Sequence, residues 1–572
     1  MQKFLPFLKW VPNYKSVFFR KDLIAGLTVA IVLIPQAMAY AMIAGLPPVY
    51  GLYASLFPLL IYTFLGTSRH LGIGPVAMDS LLVAAGLGTL AITGLENYIA
   101  LAIFLAFAVG AIQLLLGVLR MGFLVNFLSK PVISGFTLGA VLIIMFSQIK
   151  HLIGVDVKND SKFHKLVGNV IDRIAETNMY DLGIGVAAIV LIVLLKKWNK
   201  KIPSILISVV LGILLVYALD MERYGVEIVG TIPSGLPSFQ MPDINLKNFI
   251  SMWPIALTIA LVGFLEAISI GKAIEEKNNE NLIDANQELV ALGASNMVGS
   301  FFQAYPVTAS FSRSAINNEA GAKSHFSGLI SMILVVITLF FLAPLFYYLP
   351  KAVLAAIIMV SIYGLIDIAY PRTLWKNRKD EFVVLLLTFL ITLFIGIPQG
   401  ILIGVLLSLL LMVFRTSNPH FAVLGNIKNS DYYKNINRFG EEIVVRDDLL
   451  IVRFDAQLYF GNKNFFRKEM FKQIDAKGSK LKGVILNADA INYIDSSAAY
   501  MLIKVIDEIH NRGLQFIIAG AIGPTRDIIF SSGIIDSLQK DFLFVETKDA
   551  VACFDDPNAV TLLRNVVAHQ KN

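Results

Sequence analysis

A glutamate stands in the middle of one of the longest apolar runs of this sequence. Glu266 follows the run 261–265 and is followed by Ala267 and Ile268. A lone carboxylate in such a run is costly unless it is paired or protonated. Because desolvation favours the neutral form, Glu266 suits a group that takes up and releases a proton. A structural partnership with a buried cation is the alternative.

Two further charged residues, Asp79 and Arg313, also lie inside apolar segments. Arginine does not lose its charge in proteins, so Arg313 can offset a bound anion throughout a cycle. It could instead neutralise Glu266 or Asp79. Asp79 could bind Na⁺ or H⁺, or face a vestibule with no role. Glu266 and Asp79 are therefore the candidate residues for a coupling ion.

Two neutral polar side chains lie in the first apolar run. Gln36 can donate two hydrogen bonds to an oxyanion, and as an uncharged group it allows release as well as binding. Tyr40, four residues on, could line the same pocket. An aromatic side chain on an apolar span is more often plain packing, which remains the alternative for Tyr40.

The elements that would position these groups are interrupted by Pro and Gly. Thr67–Pro75 and Gln303–Ala309 do not resemble helix interiors. Each predicts extended backbone followed by a half-helix, beginning near Val76 and Ser310 respectively. A helix N-terminus has free N–H groups and about half a positive charge, so two opposed N-termini predict an anion site made of backbone. Ordinary Pro- and Gly-containing loops are the alternative.

Both interrupted segments belong to an internal repeat. Four short pairs match in the same order: 27–30 with 257–260, 36–37 with 266–267, 75–76 with 306–307, and 202–203 with 397–398. Each half contains seven predicted spans, and an odd number means that the second half is inverted in the membrane. Inverted repeats are the architecture of many secondary transporters.

Composition places these residues in an α-helical polytopic membrane domain. Of 572 residues 56% are hydrophobic and 16% charged, and the apolar runs between Asp22 and Arg415 approach the ~20 residues that cross a bilayer. Lys and Arg concentrate in alternate connections, which predicts cytoplasmic N- and C-termini. The fourteen predicted spans are 22–43, 49–66, 74–88, 97–119, 124–149, 182–198, 203–219, 250–273, 283–302, 309–321, 326–343, 351–367, 381–396 and 398–415.

After Arg415 the sequence has the composition and the alternating pattern of a soluble α/β domain. The predicted divisions are an N-terminal segment 1–21, a transmembrane domain 22–415, a linker 416–436, an α/β domain 437–556 and a tail 557–572. The predicted strands are 449–454, 482–487, 515–519 and 543–545, and the predicted helices are 463–474, 496–511, 525–531 and 548–554. Asp495 or Ser496 can cap the helix that begins at 496.

Several function classes are not expected. The net charge is +7, but no basic patch interleaved with aromatic residues indicates nucleic acid. The single cysteine, Cys553, excludes an intramolecular disulfide and a cysteine-rich metal site. No nucleotide-binding GxxxxGK[ST] motif, nucleophile–base pair or metal-ligand set is present. We therefore expect neither an ATP-driven pump nor an enzyme, and no cofactor beyond H⁺ or Na⁺ as coupling ion.

Over its whole length the chain resembles the sulfate permease family. The matching motifs are IPQAMAYA at 34–41, PPVYGLY at 47–53, GTSRH at 66–70, GIGPVA at 72–77 and SFSRS at 310–314. The resemblance implies a seven-plus-seven inverted repeat with core and gate domains, elevator-like anion transport and usually a homodimer. The α/β domain resembles the STAS domain, and Ile494–Ala498 matches the loop whose serine is phosphorylated in soluble relatives.

The resemblance also implies residue roles. Arg313 occupies the position of a basic residue that adds positive potential in some relatives, and Glu266 matches an acid associated with cation coupling. Asp79 replaces an apolar residue of many relatives, which leaves the coupling ion open. The implied anion pocket comprises Gln36, Tyr40, Val76, Ala77, Ser310, Phe311 and Ser312. The implied regulatory loop of the STAS domain comprises Asp495, Ser496 and Ser497.

The expected function is secondary active sulfate transport by proton symport in a bacterial inner membrane. The expected partners are a small inorganic anion, the lipid bilayer, a second copy of the chain and a cytoplasmic protein at the STAS domain. Na⁺-coupled bicarbonate transport is the main alternative, and dicarboxylate transport and chloride exchange stay open. A membrane-embedded sensor without flux is a different class. The interrupted half-helices and the intramembrane charges argue against that class.

Overall fold

The computed structural model divides the chain into two compact units, Met1–Ser408 and Leu409–Asn572. Within the described ranges, seven helices are long and apolar enough to cross a membrane. The structure describes residues 5–12, 14–88, 90, 92, 94–123, 129–156, 163–199, 202–244, 246–280, 283–439, 442–538 and 542–556.

The first half of the membrane unit is helical except for one short strand. A four-residue helix lies within the predicted N-terminal segment 1–21. The elements are α1 Phe7–Trp10, α2 Ser16–Ile43, α3 Val49–Tyr53, α4 Phe57–Leu65, β1 Gly72–Gly74, α5 Ala77–Leu87, α6 Leu95–Val118, α7 Lys130–Ile153, α8 Phe163–Arg173, α9 Met179–Trp198 and α10 Ser204–Leu219.

The second half repeats the pattern of long helices around one short strand. A π turn at Thr338–Leu342 and a 3₁₀ turn at Ala343–Tyr348 continue its fourth helix. The elements are α11 Leu246–Asn278, α12 Ala285–Ser300, β2 Thr308–Ser310, α13 Phe311–Glu319, α14 Phe326–Ile337, α15 Lys351–Tyr363, α16 Ala369–Asn377, α17 Lys379–Phe394 and α18 Ile397–Ser417.

Each of the fourteen predicted spans overlaps a helix, a pair of helices, or a strand and its helix. Positions 124–128 of the fifth predicted span lie outside the described residues. The first helix begins at Ser16 and not at 22, and the second span is broken into α3 and α4. Helices α8 and α16 were not predicted, because each is too short and too polar to form an apolar run.

Apolar packing and close backbone contact hold the membrane unit together. A Cβ on Gly110 of α6 would stand 2.4 Å from the Met297 nitrogen of α12, and one on Gly293 would stand 2.4 Å from the Leu114 nitrogen. These glycines therefore let the two helices approach backbone to backbone. Outer helices instead expose apolar side chains such as Leu194, which is 58% exposed and suits contact with lipid.

The C-terminal unit is a sheet covered by helices on both faces. Its strand order is β4-β3-β6-β7-β8-β9, with β5 also paired to β3, and β6 to β9 are parallel. Helices α20 to α23 cover one face and α24 the other. The elements are β3 Phe421–Ile427, β4 Tyr433–Asn435, α19 Ile436–Phe439, β5 Ile443–Val444, β6 Leu449–Phe454, α20 Lys463–Lys477, β7 Gly483–Asn487, α21 Ser496–Asn511, β8 Gln515–Ala519, α22 Gly523–Ser531, α23 Ile534–Leu538, β9 Leu543–Phe544 and α24 Thr547–Asp555.

The C-terminal unit differs from expectation at its start. Residues 416–436, expected to form a linker, contain β3 and β4 of this sheet. Strand β3 pairs antiparallel with β6, from Phe421↔Phe454 to Leu424↔Ile451. The pattern of β3 is weak because the strand contains Gly425 and Asn426, both disfavoured in strands. The expected tail 557–572 lies outside the described residues.

Candidate functional site

Two short buried strands of the membrane unit pair with each other, and each leads into a short helix. We call the paired strands β1 and β2 the crossing. Strands β1 and β2 pair antiparallel, with Gly72↔Ser310, Ile73↔Ala309 and Gly74↔Thr308 in register. Helix α5 has 11 residues and α13 has 9, which is about 16 Å and 14 Å of helix, roughly half a bilayer core. The predicted half-helices with opposed N-termini are thus confirmed.

The first backbone N–H groups of the two half-helices receive little side-chain capping within the described residues. Val76 precedes α5 and offers no side-chain cap. Ser310 precedes α13, and its hydroxyl accepts the Arg313 N–H at 3.5 Å and lies 3.2 Å from the Ser312 hydroxyl. The first N–H groups of a helix have no partner within the helix, and each terminus carries partial positive charge. Two such termini at one place favour a negatively charged ligand.

Each half-helix is tied to the opposite repeat by a buried hydrogen bond. The Gly72 N–H donates to the Ser314 hydroxyl of α13 at 2.9 Å. The hydroxyls of Ser80, in α5, and Tyr305, just before β2, lie 3.1 Å apart. These hydrogen bonds therefore connect β1 to α13, and α5 to the segment before β2.

A cavity of about 410 Å³ opens beside this crossing. It brings together seven of the predicted site residues: Tyr40, Val76, Ala77, Glu266, Ser310, Phe311 and Ser312. The remaining lining residues come mainly from α7, α11 and α15. They are Met78, Ile133, Phe136, Thr137, Leu265, Ser269, Ile270, Ala309, Ser361, Ile362, Gly364 and Leu365.

Arg313 and Gln36 do not line the cavity but are buried beside the crossing. Arg313 is 0% exposed, and its three guanidinium nitrogens have no hydrogen-bond partner in the described part of the chain. Its Nη2 lies 3.3 Å from where a Cβ on Gly74 would stand. Gln36 is 1% exposed, and its amide oxygen also has no partner there. Arg313 thus places an uncompensated positive charge behind strand β1.

The two carboxyl groups are electrostatic neighbours of each other. Asp79 is 1% exposed, neither of its oxygens has a partner among the described residues, and Glu266 is its electrostatic neighbour. Its Oδ2 is 3.2 Å from where a Cβ on Gly263 would stand, one helical turn before Glu266. No ion pair within 4.0 Å joins Arg313 to either carboxylate across the described ranges. The expected alternative, neutralisation by Arg313, is not observed.

Sequence reasoning missed the polar residues that complete the cavity wall. Ser269 follows Glu266 by three residues, and that helical spacing could have identified it. Thr137 in α7 and Ser361 in α15 lie in mostly apolar helices, and neither is spaced from a residue that the sequence had identified as part of the site. They reach the site only through the packing of α7 and α15.

The predicted regulatory loop lies at the start of α21 in the C-terminal unit. Asp495 is the N-cap, and its carboxylate accepts the Ala498 N–H and the Phe460 N–H, both at 2.8 Å. The predicted capping role of Asp495 is thus confirmed. Ser496 is exposed and Ser497 half-buried in the first turn. Phosphorylation of Ser496 stays a prediction.

Comparison with known proteins gives a consistent result over both units. The description "Sulfate permease family" matches residues 19–388, and "STAS domain" matches 442–550. The chain is 37% identical over 567 residues to sulfate transporter 4.1, chloroplastic, of Arabidopsis thaliana, covering 96% of this chain and 82% of that protein. It is 32% identical over 551 residues to a probable sulfate transporter of Mycobacterium tuberculosis, covering 95% and 98%.

A solved structure is similar over the same extent. The murine Solute Carrier 26 family member A9 anion transporter, in its inward-facing state, superimposes with a TM-score of 0.88 at 28% identity. The match covers 96% of this chain and 93% of that chain.

Proposed function

The chain belongs to the sulfate permease family and carries a C-terminal STAS domain, and from this premise we propose that it is a secondary active sulfate transporter. Its curated relatives are named sulfate transporters. The proposed coupling ion is the proton, and the proposed site is the bacterial cell membrane with both termini in the cytoplasm.

One observation carries the substrate class: positive potential converges on a cavity with few negative groups. The N-termini of α5 and α13 meet there, and the guanidinium of Arg313 lies behind the crossing without a partner among the described residues. A sulfate oxygen can accept hydrogen bonds from backbone N–H groups and from the hydroxyls of Ser310 and Ser312. A cation beside these N–H groups would be repelled by both helix termini and by Arg313.

The carboxyl pair supports proton coupling. Asp79 and Glu266 are electrostatic neighbours in the membrane interior, and neither has a basic partner within the described ranges. Burying two unpaired carboxylates would be costly, and a shared or captured proton removes that cost. Glu266 also lines the cavity, so a proton on it can enter and leave with the anion.

The lining residues favour an elevator-like movement. One wall consists of α2, α11 and the two half-helices, and the other consists of α7 and α15, which pack on each other. We propose that the first group carries the anion past the second. A homodimer and a protein partner at the STAS domain belong to the same proposal.

The test is uptake by purified protein in proteoliposomes. Sulfate, bicarbonate, fumarate and chloride are compared, each with and without Na⁺ and with and without an inward pH gradient. The proposal expects sulfate uptake that depends on the pH gradient and not on Na⁺. Na⁺-dependent uptake of bicarbonate would contradict proton-coupled sulfate transport and support the main alternative. No flux of any of the four anions would favour a sensor.

A further inference from the structure

A buried glutamate of α12 holds the chain segment that leads into strand β1. Glu288 is 0% exposed, and both oxygens of its carboxylate accept hydrogen bonds. Oε1 accepts the Thr67 N–H at 2.7 Å, the Thr67 hydroxyl at 2.5 Å and the Ser68 N–H at 3.2 Å. Oε2 accepts the Tyr62 hydroxyl at 3.0 Å. A carboxylate with four donors fixes the backbone at the entry to β1.

Two helical turns further along α12, an asparagine holds the segment that leads into strand β2. Asn296 is 1% exposed. Its side-chain oxygen accepts the Val307 N–H at 2.8 Å, and its side-chain nitrogen donates to the Val307 carbonyl at 3.0 Å. The amide thus pairs with both backbone groups of Val307, as a neighbouring strand would.

The asparagine is part of a closed network around β2. Asn296 also donates to the side-chain oxygen of Gln113 in α6 at 3.1 Å, and Gln113 donates to the Ala260 carbonyl of α11 at 3.1 Å. One turn on in α11, the Gly263 carbonyl accepts the Thr308 hydroxyl at 2.6 Å. Strand β2 is therefore tied to α12 and to the helix that carries Glu266.

We propose that Glu288 and Asn296 are positioning residues that set the anion site from a single helix. Neither residue lines the cavity, and the two do not contact each other. Through them α12 holds the two chain segments that lead into β1 and β2, and thus the N-termini of α5 and α13. The inference rests on the proposed function, since it names the residues that hold the anion site in shape. A displacement of about 1 Å at such a site is enough to weaken binding strongly.

The chain offers a matched control for Glu288. Asp22 of α2 is also 0% exposed and accepts an equivalent set of donors: the Lys323 N–H, the Ser324 N–H and hydroxyl, and the Tyr14 hydroxyl. Asp22 fixes the start of α14, which does not contribute to the cavity. Glu288→Ala and Asp22→Ala therefore remove comparable bonds at different places.

Sulfate binding to purified full-length protein in detergent is the first measurement, with thermal unfolding without sulfate beside it. We expect Glu288→Ala to weaken sulfate binding about tenfold or more, and Asp22→Ala to leave it within twofold at a similar loss of thermal stability. Glu288→Gln keeps the Oε1 acceptor and is expected to restore most of the affinity. Equal loss of affinity in both alanine variants would overturn the proposal.

Hydrogen–deuterium exchange without any anion is the second measurement. Glu288→Ala should speed exchange at Gly72–Ala77, and Asn296→Ala should do so at Val307–Ser312. Ser300→Ala is the control for Asn296, because Ser300 is buried in the same helix and, among the described residues, its hydroxyl donates only to the Met297 carbonyl of its own turn. Exchange at the crossing that matches the controls would also overturn the proposal.

The two measurements separate failure of this inference from failure of the proposed function. If wild-type protein binds no sulfate, the proposed substrate is wrong, while the exchange measurement still decides whether α12 positions the crossing. Should Glu288→Ala fail to fold, Thr67→Val removes one of its donors and takes its place in both measurements.

Discussion

At the scale of single residues, three charged side chains inside the membrane unit have different surroundings. Arg313 has no partner among the described residues, whereas Asp79 and Glu266 share one neighbourhood. The carboxyl groups and the arginine are thus free for different tasks. A change at Glu266 should affect coupling, and a change at Arg313 should affect binding of the anion itself.

We predict that Glu266→Gln abolishes proton-driven accumulation and leaves anion affinity within about threefold. The amide keeps the shape and much of the hydrogen bonding but cannot titrate. Affinity and uptake driven by a pH gradient are measured on the same purified variant. Accumulation equal to wild type would contradict a coupling role for Glu266, and Asp79→Asn would become the next variant to test.

Arg313→Gln is expected to weaken anion binding by about 10- to 100-fold, because a positive charge beside the site is lost from a low-dielectric interior. The variant should fold, since no carboxylate among the described residues loses a partner. Direct anion binding and thermal unfolding are the measurements. Unchanged affinity would show that the positive potential at the site comes from the helix termini alone.

At the scale of elements, the two short strands decide where the half-helices begin. Gly74, at the end of β1, has φ of 149°, which L side chains rarely adopt. A Cβ there would also approach the guanidinium of Arg313. Glycine is required at this position for both reasons.

Gly74→Ala should therefore reduce anion affinity about tenfold as well as stability. Gly230 is the matched control, because its φ is 78° and nothing lies within 4 Å of a Cβ built on it. Gly230→Ala should cost stability, about 1 kcal/mol from the backbone term, without a change in affinity. If both variants bind the anion like wild type, the crossing tolerates a shift of β1.

The elements could be predicted from the sequence wherever one pattern dominates. Long apolar runs predicted the membrane spans, and interruptions by Pro and Gly predicted the half-helices. Alternating strand and helix patterns predicted strands β6 to β9. Strand β3 was missed because an antiparallel strand with Gly425 and Asn426 has a weak pattern. The direction of the Arg313 side chain, and its separation from Glu266, could not be predicted, because tertiary packing sets both.

In the C-terminal unit a charged cluster links the turn before β6 to α24. Arg446 donates to Asp448 at 2.8 and 2.9 Å and to Asp555 at 2.9 Å. These hydrogen bonds lower the pKa of the Asp448 carboxyl. A lowered pKa in the folded state stabilises the fold above the unfolded pKa of about 3.9, and this stability is lost as pH falls through the folded value.

We expect Arg446→Gln to lower the free energy of unfolding of the C-terminal unit by at most about 1 kcal/mol at pH 7, since the cluster is partly exposed. The difference from wild type should shrink as the pH falls below the unfolded pKa of about 3.9. Urea unfolding over a series of pH values from 7 downwards measures it. Arg526→Gln in α22 is the control, because no ion pair involves Arg526 among the described residues. A difference that stays constant with pH would mean that the arginine acts through packing.

At the scale of the whole molecule, the two units have separate apolar cores. The membrane unit should therefore fold without the STAS domain if the cut respects the sheet. Strand β3 begins at Phe421, so a chain that ends at Asn418 removes the sheet entirely. A chain that ends at Arg438 keeps β3 without its partner β6.

The chain ending at Asn418 is expected to remain monodisperse and to be stabilised by anion, with lower activity or surface amount than the full chain. The chain ending at Arg438 should aggregate more, because β3 keeps β4 but exposes the strand edge that β6 covers, and such an edge is a template for association. Size-exclusion chromatography and anion-dependent melting compare the two. No protection of the shorter chain by any transported anion would contradict separability.

The pairing of Gly72 with Ser310 has a consequence for biosynthesis. These strand partners are far apart in sequence, and closing so large a loop is entropically costly and slow. Before β2 is synthesised, the backbone N–H and C=O groups of β1 have no strand partner, and lipid cannot form hydrogen bonds with them. The site therefore cannot form before β2 is synthesised, and during that interval a membrane chaperone could bind β1 or a protease could cleave the chain.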